Sequence, residues 1–362
     1  MIDIAPQEQA AAISFLPATA VLEMTYRCNH SCLFCSCPWE NPDGPFKREP
    51  ELNTTQWKEA IQKLSAMGVA NFCFTGGEAL LRDDIWEIIG YAGELNDKKI
   101  ICDNQQLALK AKPNALYLIS NGKALTVETL KLCKQHNVQL SISLPGLESF
   151  RELTGGNAEQ VLSMFGEAKR LGLSTVVNVT VTKKNLHELY ETISAGFLAG
   201  ADQLLLNMFL KGGRGLKYAR ELALSTQEML AAMSTAEEVL EKSGRFGNLG
   251  TELPKCLLRG HKFKRLNPAH KCSAAKGFFV LGPSGYIRVC NHSQKNLCRY
   301  PDIETLKTDP YWKTFTQKTY LPEKCFSCDD AQDCDGGCRE EAHILSGSAA
   351  ALHELVKPPH NI

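Results

Sequence analysis

Cys28, Cys32 and Cys35 form a CxxxCxxC run, Cys28-Asn-His-Ser-Cys32-Leu-Phe-Cys35, directly after the apolar stretch from Thr19 to Met24. Three thiolates so spaced, on a loop leaving a strand, can wrap one face of a cube-shaped iron–sulfur cluster. A [4Fe–4S] cube has four irons, so three protein ligands leave one iron open. An open iron beside a redox-active cube suits reductive cleavage of S-adenosylmethionine (SAM). That sulfonium chelates the iron through its amino and carboxylate groups and then accepts one electron. The plain alternative is a structural zinc site, or cysteines that merely pack, but zinc calls for a fourth local ligand.

A second group of residues suits a ligand beside such a cluster. In Phe74-Thr-Gly76-Gly77-Glu78 the two glycines let backbone groups approach a ligand closely, and Glu78 can accept a hydrogen bond from an ammonium group. Taken alone, Gly-Gly-Glu is equally well a tight strand-to-helix turn. Ser120-Asn121-Gly122 and Ser141-Ile-Ser143 offer hydroxyls and an amide, which suit the paired donors and acceptors of a ribose. Turn chemistry and strand-end capping are their plain alternatives.

A third group is C-terminal: Cys256, Cys272, Cys290, Cys298, Cys325, Cys328, Cys334 and Cys338. Pro283-Ser-Gly285-Tyr286, between apolar Phe278–Leu281 and Ile287–Val289, predicts a hairpin turn that brings Cys272 and Cys290 together. Zinc is again the alternative for a region with CxxC and further cysteines. Cys37, Cys73, Cys102 and Cys133 fit no ligand spacing. Three of them read as buried small hydrophobes, whereas Cys37, two past the run, is a candidate substrate-facing thiol.

The elements that must position these groups are legible from periodicity. Candidate strands at 20–25, 71–75, 117–120, 138–143, 174–182 and 203–208 alternate with helical patterns near 55–67, 83–95, 126–136, 157–171 and 186–199, with a further helix from about Ser225 to Lys242. Asn53 with Gln56 reads as a capping box, and Gly68 and Gly172 as helix ends. Six β–α repeats predict parallel strands joined by right-handed crossovers. Chemistry in parallel barrels sits at the C-terminal ends of the strands, and Cys28 lies just past the first. Residues 37–52 read as a loop over the barrel mouth, 96–116 as a polar insertion, and Ser243–Gly250 as a linker. The expected divisions are an arm over 1–18, a barrel over 19–245, a cysteine-rich domain over 246–345 and a tail over 346–362.

Lys+Arg 40 against Asp+Glu 40 gives a net charge of +0 over 362 residues, which advertises no nucleic-acid or anionic-membrane partner. No basic residue precedes Arg27, so a signal-peptide n-region is not seen, and no apolar run spans a bilayer. Fifteen cysteines without an export signal point to metal ligation in a reducing, cytoplasmic setting rather than a disulfide framework.

The cysteine run, with Phe34 just before its third cysteine, resembles the signature of the radical SAM superfamily. Phe74–Glu78 resembles that superfamily's motif for the methionyl amino group. Ser120, Asn121 and Ser143 fall where it contacts the ribose and carboxylate of SAM. Cys272-x12-Gly285-x4-Cys290 followed by Cys325-x2-Cys328-x5-Cys334-x3-Cys338 resembles the SPASM extension of these enzymes. The resemblance covers about residues 19–345. It implies an α/β fold, a (β/α)6 partial TIM barrel followed by a small cysteine-rich SPASM domain. It also implies a SAM-binding [4Fe–4S] cluster and two auxiliary clusters. Cys256, Cys272, Cys290 and Cys338 would hold one. Cys325, Cys328 and Cys334 would hold the other, whose fourth position is open or falls to Asp335, His343, Cys298 or another residue, since no cysteine follows Cys338.

The sequence departs from related peptide-modifying enzymes at Pro145, where they commonly carry aspartate. Lys211-Gly-Gly-Arg214-Gly215 resembles their stretch after the sixth strand. Arg214 there could meet a substrate carboxylate, though a solvated loop arginine is the plainer reading. The activity implied is maturation of a ribosomally made peptide by oxidative cross-linking of its side chains. A precursor peptide, an electron donor such as flavodoxin or ferredoxin, and a separate leader-recognition protein or direct leader binding are the implied partners. His292, beside Cys290, is the candidate catalytic base, with Glu40 and Asp43 of the mouth loop as others. A small-molecule SPASM enzyme of the haem-pathway kind and a metal-binding scaffold remain alternatives. A formylglycine-generating sulfatase maturase ranks lower, because Asn291 stands where those enzymes carry a basic aspartate.

Overall fold

In Thr175-Val-Val-Asn-Val-Thr-Val181 every second side chain is buried, and Val177, Val179 and Val181 have no exposed surface. Apolar alternation of this kind makes a strand backed by helices. Taken together, such segments build the molecule, seen here in a computed structural model that describes residues 15–103 and 106–356. The expected arm and tail fall partly outside those residues.

In chain order the first part runs β1 (Thr19–Glu23), α1 (Thr54–Ala66), β2 (Asn71–Thr75), α2 (Ile85–Glu94), β3 (Lys98–Asp103), β4 (Gln106–Ala111), β5 (Ala115–Ser120), α3 (Val127–Gln135), β6 (Val138–Ser143), α4 (Phe150–Thr154), α5 (Ala158–Arg170), β7 (Thr175–Val181), α6 (Leu189–Ala199), β8 (Gln203–Met208), α7 (Ala219–Leu222) and α8 (Thr226–Ser243). Asn53 opens α1 with both hydrogen bonds of a capping box. The left-handed Gly68, at φ 95°, turns the chain back towards β2. The second part adds β9 (Gly247–Leu249), β10 (Leu266–Asn267), β11 (Phe278–Leu281), β12 (Tyr286–Arg288), β13 (Cys298–Arg299), α9 (Pro310–Thr316) and α10 (Arg339–Ser346).

Strands β1, β2, β5, β6, β7 and β8 lie side by side and parallel in that order. With the helices between them they are the expected (β/α)6 partial barrel, and eight of the chain's fifteen cysteines follow it. The sheet does not stop there. β9 and β10 extend it beyond β8, and β11 adds in parallel to the other side of β1, with Thr19 opposite Phe278 and Leu22 opposite Leu281. β11 and β12 form the expected hairpin.

Two expectations are corrected. The polar insertion at 96–116 contains an antiparallel hairpin of its own, β3 with β4, in a separate two-stranded sheet. The supposed linker at 243–250 holds the end of α8, the left-handed cap Gly244 and strand β9. Three glycines resemble a flexible joint in sequence, but Gly247 is buried and pairs opposite Leu204 of β8. Phe72 and Phe74 of β2, Trp57 of α1 and Phe165 of α5 are wholly buried in the core that backs the site. Each such side chain contributes about 1.5–3 kcal/mol through burial.

Candidate active site

The cysteine loop leaves β1 still hydrogen-bonded to β2. Met24 N–H donates to Thr75 O at 2.9 Å, Gly77 N–H to Thr25 O at 2.8 Å and Glu78 N–H to Arg27 O at 2.8 Å. This pairing demands glycine. A Cβ on Gly77 would collide with the Arg27 carbonyl, and one on Gly76, whose φ is 134°, would press on Thr25 O and Met24 N. The Gly-Gly-Glu turn therefore sets where the first cysteine emerges. On the far side, Ser31 and Leu33 N–H donate to Thr154 O and Leu153 O of α4 at 3.1 and 2.9 Å. Phe34 packs with Leu153, Phe209 and Leu222.

Arg214 is not a free loop arginine but a half-buried one held in place. It donates to Cys32 O at 3.2 Å and pairs with Glu40, while Gly215 N–H donates to Cys35 O at 3.1 Å. Glu40 also pairs with Arg48 at 2.8 Å, so it is engaged twice, whereas Asp43 is exposed. Cys28 is exposed and Cys32 and Cys35 are half-buried, none in a disulfide. Burial pushes the Cys28 and Cys32 thiols up, while a hydrogen bond from Cys37 draws Cys35 down. Cys37 thus belongs to the loop itself, with its Sγ 3.9 Å from Gly76 O. Cys133 is fully buried and Cys73 is half-buried, while the side chain of Cys102 lies outside the described ones.

Glu78 is 1 % exposed and its carboxylate ties the ends of β2 and β5 together. It accepts from Asn121 N–H at 2.8 Å, Leu80 N–H at 3.2 Å and the Ser120 hydroxyl at 3.1 and 3.2 Å. Burial pushes its carboxyl up in spite of these donors. Asn121 reaches across to Asn29 Oδ1 at 2.8 Å and Cys28 Sγ at 3.6 Å. Ser143, at the end of β6, is half-buried on the same strand face as Ser141, whose buried hydroxyl has no partner among the described residues. A buried hydroxyl without a partner costs about 1–3 kcal/mol. The soft thiolates of the loop and this unmet hydroxyl at one end of the barrel fit a cluster with a polar ligand beside it.

After β6, the loop carrying Pro145 is held by Glu188, which sequence reasoning missed. Its carboxylate accepts from Leu147, Glu148 and Ser149 N–H at 2.9, 2.7 and 3.0 Å, and from the Ser149 hydroxyl. Burial alone would raise its pKa, but these donors hold it below the ordinary value.

Seven of the eight C-terminal cysteines fall into two groups, while Cys298 sits in β13. Cys272, Cys290 and Cys338 are buried together, with Cys272 N–H donating to Asp335 at 2.7 Å. Cys325, Cys328 and Cys334 line a cleft open to solvent, and Cys256 lines it with them. Among the described residues no three His, Cys, Asp or Glu side chains converge closely enough for one metal ion. His292 is half-buried beside Cys290, facing Glu340, Glu341 and Arg288, and burial draws its pKa down. Asn291 donates to Glu23 at 3.2 Å.

No helix among the described residues is long and apolar enough to cross a membrane. The Radical SAM superfamily model matches residues 22–195. The chain is 26% identical to the PqqA peptide cyclase of Bradyrhizobium diazoefficiens over 364 aligned residues, 95% of this chain and 87% of that one. Its fold is that of Streptococcus suis SuiB bound to S-adenosylmethionine, at a TM-score of 0.69 and 16% identity over 97% of this chain and 79% of that one. It is also that of anSMEcpe with bound AdoMet and the Cp18Cys peptide, at a TM-score of 0.65 and 15% identity over 93% of each chain. A cysteine loop held at the mouth of such a barrel is where SAM chemistry is expected, and it lies in residues 22–195, the part of the chain that matches the Radical SAM superfamily.

Proposed function

We propose that the chain is a maturase that oxidatively modifies a ribosomally made peptide, joining two of its side chains. The observation that carries this reading is the likeness to the PqqA peptide cyclase along 95% of the chain. When bound, the [4Fe–4S] cluster and SAM supply a 5′-deoxyadenosyl radical able to take a hydrogen atom from an unactivated C–H bond. Cys28, Cys32 and Cys35 would hold that cluster. Gly76 and Gly77 admit the methionyl end of SAM, Ser120 and Asn121 are positioned for it by Glu78, and Ser141 and Ser143 face its polar groups.

Closing a bond between two side chains removes two hydrogens. One leaves as an atom, and the other as a proton and an electron. His292 is the proton acceptor in this reading, by its place beside Cys290. The C-terminal cysteines would hold two auxiliary clusters, which would supply a place for that electron, and a flavodoxin or ferredoxin would be the donor for each turnover. The leader is bound directly or by a separate protein. Asn291 cannot take a proton at neutral pH and donates to Glu23, which disfavours the formylglycine reaction.

The test is to express the chain with a short open reading frame found beside its gene and weigh the peptide. A product lighter by two hydrogens is expected, with deuterium from a labelled side chain appearing in 5′-deoxyadenosine. A formyl group on a folded protein, or a porphyrin as the sole substrate consumed, would overturn the reading.

A further inference from the structure

On the reading that residues 246–345 carry two auxiliary clusters, the cleft walled by Cys325, Cys328 and Cys334 is the outer of the two sites. Three thiolates from one loop need a fourth donor to close a cube. Asp335 is spent elsewhere: it is 1 % exposed, accepts from Cys272 N–H at 2.7 Å and the Tyr320 hydroxyl at 2.6 Å, and pairs with Lys318 at 2.7 Å. His343 is bonded to Tyr311 at 2.8 Å. Cys298 sits in β13, paired opposite Ile287.

Cys256 is different. It lines the cleft together with the three cysteines, Pro254, Arg259 and Lys324. The chain beside it is bonded to the same loop, since Lys255 N–H donates to Cys334 Sγ at 3.4 Å, matched by Gly336 N–H at 3.3 Å. Ion pairs from Lys255 to Asp330 at 3.7 Å and from Arg259 to Asp330 at 3.3 Å lie on the same seam. Leu257 and Leu258, buried in the core, anchor the turn from behind. Backbone N–H groups on a sulfur, and cations at the rim, are what a cluster carrying four thiolates requires to offset its negative charge.

We propose that Cys256, Cys325, Cys328 and Cys334 together ligate the outer auxiliary cluster, leaving Cys272, Cys290 and Cys338 as a three-thiolate inner site. The turn at Pro254 separates two neighbours in the chain. Cys256 goes to the outer cleft, while the Glu252 carboxylate is near enough to all three inner thiols to push each of them up.

The assignment is tested on the full wild-type chain, purified and loaded anaerobically. Brief treatment with a chelator and mild oxidant strips the solvent-open site before the buried one. The freed thiols are then alkylated and read by mass spectrometry. Cys256 is expected to gain label in step with Cys325, Cys328 and Cys334 while Cys272, Cys290 and Cys338 stay protected. Label on Cys256 in step with the inner three would overturn the assignment. In a second arm, Cys256→Ala should change the same reduced-cluster electron paramagnetic resonance signal as Cys325→Ala, and not the one changed by Cys272→Ala; the reverse pattern would overturn it. Metal analysis of the wild type judges the underlying reading separately. Zinc in place of iron at these cysteines would sink the auxiliary clusters, and the labelling pattern would still decide which thiols share a site.

Discussion

Arg288 of β12 and Glu23 of β1 form an ion pair in which neither side chain is more than 2 % exposed. The guanidinium also donates to Ser293 O at 2.9 Å and Asn291 O at 3.1 Å, and it stacks over the Trp39 and Phe46 rings of the mouth loop. One side chain thus joins the hairpin, the first barrel strand and the loop over the mouth. Burial lowers its pKa to about 10, which still leaves it charged at neutral pH. Arg288→Met should destabilise the protein by about 3–5 kcal/mol, because Glu23 is left buried and charged. Adding Glu23→Gln should recover part of that loss. Denaturant melts of the two variants decide it, and a single-variant cost below about 1 kcal/mol would show the pair to be incidental.

Gly77→Ala should prevent loading of the catalytic cluster while the barrel still folds. The added methyl meets the Arg27 carbonyl, so the turn must move and the cysteine loop with it. Iron per chain should fall by one cluster's content, with the circular dichroism spectrum retained. Full iron content in the variant would contradict this account.

Ser141→Ala should move two measurements in opposite directions. Removing a buried hydroxyl that lacks a partner should leave the unloaded protein as stable or up to about 1 kcal/mol more stable. SAM binding should weaken, by up to roughly tenfold, if the hydroxyl is completed by that ligand. Calorimetric titration with SAM and a thermal melt read both. Weakened folding with unchanged SAM affinity would remove Ser141 from the pocket.

Glu188→Gln should lose stability at neutral pH by about 1–3 kcal/mol, since its carboxylate gathers three backbone N–H groups. The folded-state pKa lies below the ordinary glutamate value of about 4.3. The stabilisation is therefore complete above that value and disappears as pH falls through the lower, folded one. Melts from neutral to acid pH should show the wild type and the variant converging at the acid end. A gap independent of pH would mean that the charge does not matter.

The sequence displays what is decided locally. Asn53 and Gln56 start α1 within one turn of chain, and the spacing of Cys28, Cys32 and Cys35 needs no distant partner to be read. What stayed hidden depends on segments far apart in the chain. β9 is a strand because the edge of β8 is there to receive Gly247–Leu249, and its glycines alone suggest a joint. Cys256 is sorted by a backbone bond from its neighbour Lys255 to Cys334, 79 residues away. Arg214 and Glu188 look like ordinary loop residues until folding brings each against the backbone of another loop.

The parallel pairing of β11 with β1 makes the C-terminal region hard to exchange as a cassette. A truncation near residue 250 would not release a finished barrel. It would bare the backbone of Thr19–Leu22, whose bonds to Phe278–Leu281 close that side of the sheet, and an exposed, flat, apolar edge recruits other chains. Recombination between relatives at that boundary should therefore yield aggregates unless β1 and β11 are inherited together.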